Sequence, residues 1–432
     1  MNTPIISNSL LTESQGITKE NLLNEYLNFG NPHALLNGNA GTGKTFLLNN
    51  IAHDLLSTLT GNRKIYITAP TNKALSVLKE KIRPNPKFHF TTVHKALKMR
   101  RIFDKDSGEE RFIMPAKAAT HLKDCAIMII DEASMLERRM LDNLLTVGDM
   151  KILFVGDDKQ INPVNEAVSS VFHRNFPTHT LTEIIRQGTG NPIIDLSQDL
   201  DRIVDRVNNT IPSDGKLGGY FYTQDIDKII QVLADTNGTS ERKYLAYTNK
   251  TVNNINSRVR RKIYGPNART IEPGETVIFN KPFQAYWTNQ ELKISTCEET
   301  TFKAKIPTEK SYMNNGVLTH AEEMEYRCHM INGNIPVIHE SSKYDFLRMG
   351  RAIKTSVKRD GWNWGGYYYF FEQFADLKYN HAITIHKSQG STYDEAIIDF
   401  KDVNINKNKK EVQRLLYTGI TRASRLTVLY NV

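Results

Sequence analysis

The stretch that decides the fold class of this chain is HALLNGNAGTGKTFLLNN, residues 33–50. The apolar run HALLN is typical of a buried strand, the glycine-rich stretch of a tight loop, and the residues from Lys44 onward of a helix. Residues 38–45, GNAGTGKT, match the pattern G-x-x-x-x-G-K-[ST], which carries weight when it lies between a strand and a helix. We therefore predict a strand, a P-loop and a helix, in that order.

The predicted loop has the chemistry of a site for nucleotide phosphates. Gly41 and Gly43 lack a Cβ and let backbone N–H groups approach phosphate oxygens. The Lys44 ammonium would neutralise the β- and γ-phosphates, and the Thr45 hydroxyl would ligate Mg²⁺. Together with Thr42, these residues form the predicted site for a nucleoside triphosphate and Mg²⁺.

The alternation of short apolar runs with helical patterns continues beyond this loop. Further strands are predicted at 63–71, 125–132 and 150–157, and helices at 44–59, 71–82 and 136–147. Repeated strand–helix units predict an α/β fold with a parallel sheet, whose strands are buried on both faces. The ligand site of such a sheet lies at the carboxyl ends of its strands.

Acidic and amide side chains follow two of the predicted strands. Asp131 would hold Mg²⁺, and Glu132 would orient or deprotonate an attacking water. Two acids here could instead begin the next helix, but the P-loop earlier in the chain favours the catalytic interpretation. Gln160, in GDDKQ (156–160), is a candidate sensor of the γ-phosphate or of the water, with an ordinary loop residue as the alternative.

The length of 432 residues predicts two to four domains. The α/β pattern resumes after residue 242, whereas short strand-like runs separated by Pro, Gly and Asn fill 268–375. We predict a first domain over 1–180, a second over 181–267 plus 376–432, and a β-rich insertion over 268–375. Within the first domain we predict a hairpin at 98–119, centred on the turn Asp106-Ser107-Gly108.

The formal net charge of +9 favours a polyanionic partner such as nucleic acid, or else aids solubility. The first residues lack the features of a signal peptide, and no apolar run approaches the roughly 20 residues of a membrane span. Three cysteines far apart in sequence predict neither a disulfide framework nor a zinc site. We expect a cytoplasmic protein, in the host cytoplasm if phage-encoded, with no membrane partner.

Nine blocks of the sequence resemble, in their order, the superfamily 1 helicases of the RecD-like 5′→3′ branch. The blocks are GNAGTGKT (38–45), APTNKA (69–74), TTVHKAL (91–97), IIDEASM (129–135), GDDKQINPV (156–164), LTEIIRQ (181–187), AYTN (246–249), AITIHKSQGST (382–392) and LLYTGITRA (415–423). The resemblance is weakest between 265 and 375. It implies two RecA-like domains facing each other across ATP, with an SH3-like insertion.

The resemblance implies further residues of the nucleotide site. Arg186 and Arg422 match two arginines that this family places on the γ-phosphate, where a guanidinium can contribute roughly 10³–10⁵ in rate. Gln15, in LTESQ (11–15), is similar to the glutamine that contacts adenine. Gly390 is assigned to the nucleotide site as well, and the Ser-Thr pair that follows it is typical of the 5′→3′ branch.

A track for single-stranded DNA across both domains is also implied by the resemblance. Phosphates call for hydroxyls, amides and cations, and bases call for flat side chains. The matching residues are Pro70, Thr71, Asn72, Thr91, Thr92 and His94 in the first domain, and Thr248, Asn249, Thr384, His386 and Lys387 in the second. Each of them could instead be a helix cap or a turn residue.

The predicted hairpin lies where this family carries a pin that separates the DNA strands. Phe103 is on its outgoing arm and Phe112 on its return arm, and either ring could stack on a base or pack the hairpin against the first domain. We favour Phe112 as the ring that contacts DNA. The aromatic run at 361–374 could also stack bases, but we favour a core that joins the insertion to the second domain.

These patterns predict an ATP- and Mg²⁺-dependent DNA helicase that translocates 5′→3′ on single strands. Its expected partners are single-stranded DNA and fork DNA, with replication or single-strand-binding proteins as further candidates, and a monomer is the expected state. Two alternatives stay open at this point. One is a translocase that displaces bound proteins, and the other is an NTP-gated DNA-binding factor that does not unwind duplex.

Overall fold

A computed structural model describes residues 11–28, 32–104, 107, 110–115, 122–147, 150–163, 166–185, 191–200, 207–210, 218–235, 240–268, 270–272, 274–280, 283–284, 293–294, 299–301, 308–313, 325–331, 335–360 and 364–432. Its strands are β1 (His33–Gly38), β2 (Lys64–Ala69), β3 (Phe88–Thr92), β4 (Arg100–Phe103), β5 (Glu110–Ile113), β6 (Cys125–Ile130), β7 (Lys151–Gly156), β8 (Thr178–Leu181), β9 (Val207–Thr210), β10 (Gly218–Thr223), β11 (Arg242–Ala246), β12 (Thr276–Phe279), β13 (Phe283–Gln284), β14 (Lys293–Ile294), β15 (Glu299–Thr301), β16 (Thr308–Met313), β17 (Glu325–Ile331), β18 (Ile335–Ile338), β19 (Leu377–Tyr379), β20 (Ala382–Thr384), β21 (Tyr393–Asp399) and β22 (Ala423–Tyr430).

The helices of the same residues are α1 (Glu13–Asn28), α2 (Lys44–Asp54), α3 (Asn72–Lys81), α4 (Val93–Ala96), α5 (Arg138–Leu145), α6 (Ile193–Gln198), α7 (Ile226–Ala234), α8 (Asn249–Tyr264), α9 (Glu340–Asp360), α10 (Trp364–Glu372), α11 (Phe400–Val403) and α12 (Lys409–Ile420). Short 3₁₀ turns occur at Leu55–Thr58, Ala133–Met135, Ser170–His173 and His386–Ser388. None of the helices in these described stretches combines the length and the apolar character that a membrane span requires.

The first α/β body is a six-stranded parallel sheet in the order β3-β2-β6-β7-β1-β8. Helices α2 and α3 contribute to the apolar cluster on one face, and α5 contributes to the cluster on the other. Since both faces are covered, strands such as β6 are apolar along almost their whole length. The predicted parallel α/β fold is confirmed, and the carboxyl ends of β1, β6 and β7 point to one edge.

The second α/β body is a six-stranded sheet in the order β20-β11-β21-β22-β10-β9. All neighbours are parallel except β9, which runs antiparallel to β10. Helices α7 and α8 pack on one face, while α6 and α12 pack on the other. Two parallel sheets with helices on their faces form the RecA-like architecture that the sequence predicts.

The region from 268 to 375 contributes to three small antiparallel sheets, β15-β12-β19, β13-β14 and β16-β17-β18, and of these strands only β19 lies just beyond residue 375. Strands were predicted here, but the long helix α9 and the aromatic helix α10 were not. The α10 sequence WGGYYYFFE has two glycines and few strong helix formers, so its helical state depends on packing against α9. The region thus contains two helices besides its strands, and the bounds of the insertion and an SH3-like barrel stay predictions.

The hairpin predicted within 98–119 is present as the antiparallel pair β4–β5, which we call the pin. Phe103 stacks on Tyr368 of α10 with centroids 4.4 Å apart and an interplanar angle of 10°. The Arg101 guanidinium lies over both rings and pairs with the Glu372 and Glu110 carboxylates. One pin ring thus packs against the insertion rather than against the first body. Of the predicted turn, only Ser107 lies within the described residues.

Candidate nucleotide and nucleic-acid sites

The P-loop follows β1 and leads into α2, as the sequence predicts. Gly41 and Gly43 have φ values of 86° and 78°, in the left-handed region that glycine adopts without steric cost. A Cβ on Gly43 would lie 2.6 Å from Nε2 of Gln15, so the Gln15 amide would have to move away from the loop. Nζ of Lys44 donates to the carbonyl oxygens of Gly38 (2.6 Å) and Asn39 (3.0 Å), which holds the ammonium at this loop. A glycine loop before a helix N-terminus fits phosphate.

Asp131 and Glu132 come directly after β6, at the edge of the sheet where the P-loop lies. The Asp131 side chain is buried, and one of its carboxylate oxygens accepts a hydrogen bond from the Glu132 backbone N–H (2.9 Å). Burial and the neighbouring Glu132 carboxylate raise the pKa of Asp131, while the charge of Lys44 acts in the opposite direction. A divalent cation would stabilise the ionised carboxylate. The oxygen donors of Thr45 and Asp131 therefore fit Mg²⁺.

Glu132 has an unusual backbone. Its φ of 52° and ψ of 41° place a non-glycine residue in the left-handed region, which costs on the order of 1–3 kcal/mol unless the surroundings enforce it. The conformation turns the chain sharply at the end of β6 and leaves the Glu132 side chain half-buried. Such strain at a strand end, next to a buried carboxylate, is typical of a functional position.

A tyrosine of the second body reaches the P-loop and the end of β7. The Tyr417 hydroxyl, on α12, donates to the Asp157 carboxylate (2.9 Å) and accepts from the backbone N–H of Ala40 (2.9 Å). Nε2 of Gln160 donates to the same Asp157 carboxylate oxygen (3.2 Å). Arg414, also on α12, donates to the Gln160 carbonyl (2.7 Å). The second body thus contacts both the phosphate loop and the predicted sensor segment.

Neither Tyr417 nor Arg414 was singled out from the sequence, although Tyr417 lies within the block LLYTGITRA and Arg414 directly precedes it. Burial raises the pKa of the Tyr417 hydroxyl above its ordinary range, so the hydroxyl stays protonated and can donate at any working pH. Their helix, KKEVQRLLYTGI, carries several other polar side chains, so neither residue stands out from it. Nothing in the sequence shows that this helix faces the loop of the other body.

Arg422 belongs to the second body, as Tyr417 and Arg414 do, and it lies just after α12. It is 2% exposed, and its guanidinium donates to the carbonyl oxygens of Thr418 (3.1 Å) and Ser391 (3.2 Å). Its charge also acts on the Tyr417 hydroxyl, which places the guanidinium near the contact between the two bodies. The second predicted arginine, Arg186, lies outside the described residues.

Two further nucleotide-site candidates differ in their placement. Nε2 of Gln15 donates to the Thr42 carbonyl of the P-loop (3.2 Å), so Gln15 does lie at the loop. Gly390 has a φ of 75°, and the nearest atoms to a Cβ there would belong to Ala74 of α3 (3.4 Å). Gly390 therefore lies where the two bodies meet, and its assignment to the nucleotide stays a prediction.

The predicted DNA contacts lie at the ends of neighbouring parallel strands in each body. Ala69 of β2 pairs with Thr92 of β3, which brings 70–72 beside Thr91 and Thr92. Ala246 of β11 pairs with Thr384 of β20, which brings 248–249 close to 384–387. The parallel registers therefore assemble each set at one edge of its sheet.

Three of these threonines are helix N-caps, as the alternative interpretation proposed. The hydroxyl oxygens of Thr71, Thr92 and Thr248 accept from backbone N–H groups three residues later, at 3.2 to 3.4 Å. A capping hydroxyl accepts through a lone pair and keeps its own proton for another acceptor. The Thr248 proton is already donated to the Asp402 carboxylate (2.7 Å). Thr71 and Thr92 are thus better placed than Thr248 to donate to a phosphate.

Two of the remaining second-body candidates, Asn249 and Lys387, contact residues at the base of the insertion. Oδ1 of Asn249 accepts from Nζ of Lys378 (3.4 Å), and Nζ of Lys387 donates to Asn280. Asn280 is in turn bonded to Asp376 at the other end of the insertion (2.6 Å). Polar groups from the insertion therefore hold the side chains of Asn249 and Lys387.

Phe112 of the pin lies against His94. Their rings meet edge to face with centroids 5.1 Å apart, and the Phe112 side chain is still 40% exposed. Burial lowers the pKa of both His94 and His386, so each imidazole is neutral at pH 7. The structure thus brings one exposed aromatic ring and one neutral imidazole together at the base of the pin.

Two RecA-like sheets that meet at a P-loop define a P-loop nucleoside triphosphatase with two α/β bodies. The family profile described as "AAA domain" matches residues 18–206, and that described as "UvrD-like helicase C-terminal domain" matches residues 379–430. The chain is 29% identical to the ATP-dependent DNA helicase Dda of Enterobacteria phage T4, over 92% of this chain and 94% of that protein.

Other relatives are more distant. The RecD subunit of the RecBCD enzyme from Buchnera aphidicola (subsp. Schizaphis graminum) is 25% identical over 90% of this chain and 69% of that protein. The ATP-dependent DNA helicase PIF1 of Xenopus laevis is 25% identical over 83% of this chain and 53% of that protein. Along most of its length the chain is similar to superfamily 1 DNA helicases, a class of ATP-hydrolysing enzymes.

Proposed function

We propose that this protein is an ATP- and Mg²⁺-dependent helicase that moves 5′→3′ along single-stranded DNA and separates duplex ahead of it. The observation that carries this proposal is the contact of Tyr417 with the P-loop, because it links the nucleotide site of one body to the other. ATP binding would close the cleft between the two bodies and hydrolysis would reopen it, and this cycle would move the two DNA-contacting edges relative to each other.

The roles of the nucleotide-site residues follow from their positions. Lys44 and Arg422 supply positive charge to the phosphates, and Glu132 accepts a proton from, or orients, the attacking water. When bound through Thr45 and Asp131, Mg²⁺ neutralises phosphate charge as it develops. Gln160 shares the Asp157 carboxylate with Tyr417, so it is placed to report the state of the γ-phosphate to α12.

The polarity of movement is tested with partial duplexes that carry a single-stranded tail at one end. The Ser391-Thr392 pair after Gly390, together with the other blocks of the RecD-like type, predicts unwinding from a 5′ tail. We expect ATP-dependent strand separation from the 5′-tailed duplex and little from the 3′-tailed one. Equal or faster unwinding from the 3′ tail would contradict the proposed direction. A steep rise of the ATPase rate on addition of single-stranded DNA is expected in the same preparation.

Strand separation is expected to depend on the exposed ring of the pin. Phe112→Ala should slow duplex unwinding severalfold, because base–aromatic stacking contributes roughly 1–3 kcal/mol per base in single-strand complexes. The DNA-stimulated ATPase should change little, since the P-loop is unaltered. Ile102→Ala is a matched control, because Ile102 is an exposed pin side chain without a ring (38% exposed). If ATPase and unwinding fell together, or neither changed, Phe112 would not contact the fork.

A further inference from the structure

Helix α9 has a buried face and an exposed face. Its buried residues Phe346, Met349, Ile353 and Val357 recur at helical spacing and belong to the apolar cluster shared with α10. The Phe346 ring stacks on Phe370 of α10 with centroids 4.8 Å apart. This packing fixes which side of α9 faces solvent.

The opposite side carries a stripe in which every member is exposed. Tyr344, Leu347, Arg351, Lys354 and Lys358 follow one another at alternating spacings of three and four residues, so they form one line along the helix. Tyr344 is 71% exposed and Leu347 is 43% exposed. We call these five residues the α9 stripe.

The surroundings of the α9 stripe are also basic. Lys343, Arg348 and Arg359 are exposed beside it. Among the α9 side chains that the structure describes, one carries a carboxylate, Asp345. It is half-buried and lies 3.4 Å from the Arg348 guanidinium. The exposed half of this helix therefore presents a surface of strongly positive character.

Helix stability does not explain this arrangement. Lys358 lies in the last turn, where a cation offsets the helix dipole, but Arg351 and Lys354 lie in the middle of the helix, where that effect has faded. The eight residues from Arg351 to Lys358 span roughly 10 Å of helix, about three phosphate steps of one DNA strand. The spacing of the cations thus suits a run of backbone phosphates.

The position of the α9 stripe points to the kind of DNA. Helix α9 packs on α10, and α10 holds the pin through the stacking of Tyr368 on Phe103 and the pairing of Glu372 with Arg101. The stripe therefore belongs to the same packed unit as the pin. DNA that has reached the pin but has not yet been separated is still duplex, so duplex is the form expected beside the α9 stripe.

We propose that the α9 stripe binds the phosphate backbone of the duplex ahead of the pin, an inference that rests on the proposed helicase function. The contact is sequence-independent, because it is made to phosphates. It would hold the duplex against the unit that splits it. An acidic protein partner is the other class of occupant, but the proposed substrate already brings a polyanion to the pin.

The test is a variant with Arg351→Ala, Lys354→Ala and Lys358→Ala, assayed by binding of a 5′-tailed duplex and of the single-stranded tail alone. We expect the affinity for the tailed duplex to fall about tenfold or more at moderate salt. The slope of log K against log salt should flatten by about two to three units, at roughly 0.9 per phosphate. Affinity for the single strand and the single-strand-stimulated ATPase should be unchanged.

Two control variants separate charge from position. The first control combines Lys79→Ala, Arg83→Ala and Lys123→Ala. It removes three exposed cations near the amino-terminal edge of the first sheet, whereas the predicted DNA contacts lie at the opposite edge. Both affinities should be unchanged. The second control combines Arg351→Lys, Lys354→Arg and Lys358→Arg. It keeps the positive charge of the α9 stripe and should retain duplex binding.

Two results would contradict the inference, and a third would contradict the proposed function on which it rests. If the alanine variant bound the tailed duplex as tightly as the unaltered protein, the α9 stripe would not be a DNA site. If it lost single-strand affinity to the same extent, the effect would be general charge rather than a duplex contact. An unaltered protein whose ATPase ignores single-stranded DNA would instead contradict the proposed function itself.

Discussion

Replacing Glu132 with glutamine should lower the turnover of ATP by about 10² to 10⁴ while ATP still binds. Glutamine keeps the size of the side chain and its place at the end of β6, but it cannot accept the proton of the attacking water. Lys44, Thr45 and Asp131 are unchanged and continue to hold the nucleotide and the metal. The measurement is steady-state ATPase with single-stranded DNA, beside equilibrium binding of a fluorescent ATP analogue.

Glu137→Gln is the matched control for this prediction. Glu137 is an exposed glutamate a few residues downstream, so its replacement removes the same charge from the same segment without touching the strand end. Its turnover should equal that of the unaltered protein. A Glu132→Gln variant with near-normal turnover would remove Glu132 from the catalytic role, and one that failed to bind ATP would make it a binding residue instead.

Tyr417→Phe should lower the DNA-stimulated turnover of ATP about tenfold or more. The change deletes one oxygen and leaves both the Asp157 carboxylate and the Ala40 N–H without that partner, a local cost of about 1–3 kcal/mol. The larger consequence is functional, because the variant loses the bond between α12 and the phosphate loop. Turnover should fall more than the affinity for single-stranded DNA, since the DNA-contacting edges are unaltered.

Tyr66→Phe separates the functional effect from the structural one. The Tyr66 hydroxyl also donates to an aspartate, Asp124 (2.9 Å), but at the amino-terminal edge of the first sheet. Both variants should lose comparable thermal stability, and only Tyr417→Phe should lose turnover. Equal turnover in the two variants would show that the Tyr417 bond merely stabilises the fold.

The first body and its nucleotide site were predictable because their signals are local. The strand, loop and helix of 33–50 are adjacent in sequence, and the two acids directly follow β6. The buried strands are recognisable as short, continuous apolar runs. Backbone geometry was not predictable in the same way. The left-handed φ of Glu132 could not be predicted, because glutamate rarely adopts that conformation.

The contacts between distant segments were beyond the reach of sequence patterns. The meeting of Tyr417 with Ala40 depends on how α12 of one body approaches the other. The same holds for helix α10, whose aromatic and glycine-rich sequence has weak helical preference and becomes helical against α9. Tertiary packing decided these features, and local preference did not.

The stacking of Phe103 and Arg101 on Tyr368 also constrains how this molecule can be altered by recombination. An insertion in a surface position is commonly treated as a cassette that can be exchanged between related proteins. Here, the hairpin of the first body and helix α10 of the insertion have complementary contact surfaces. A chimera that received the insertion of a relative would need the hairpin of that relative as well, so the two segments, although far apart in the gene, are inherited as one part.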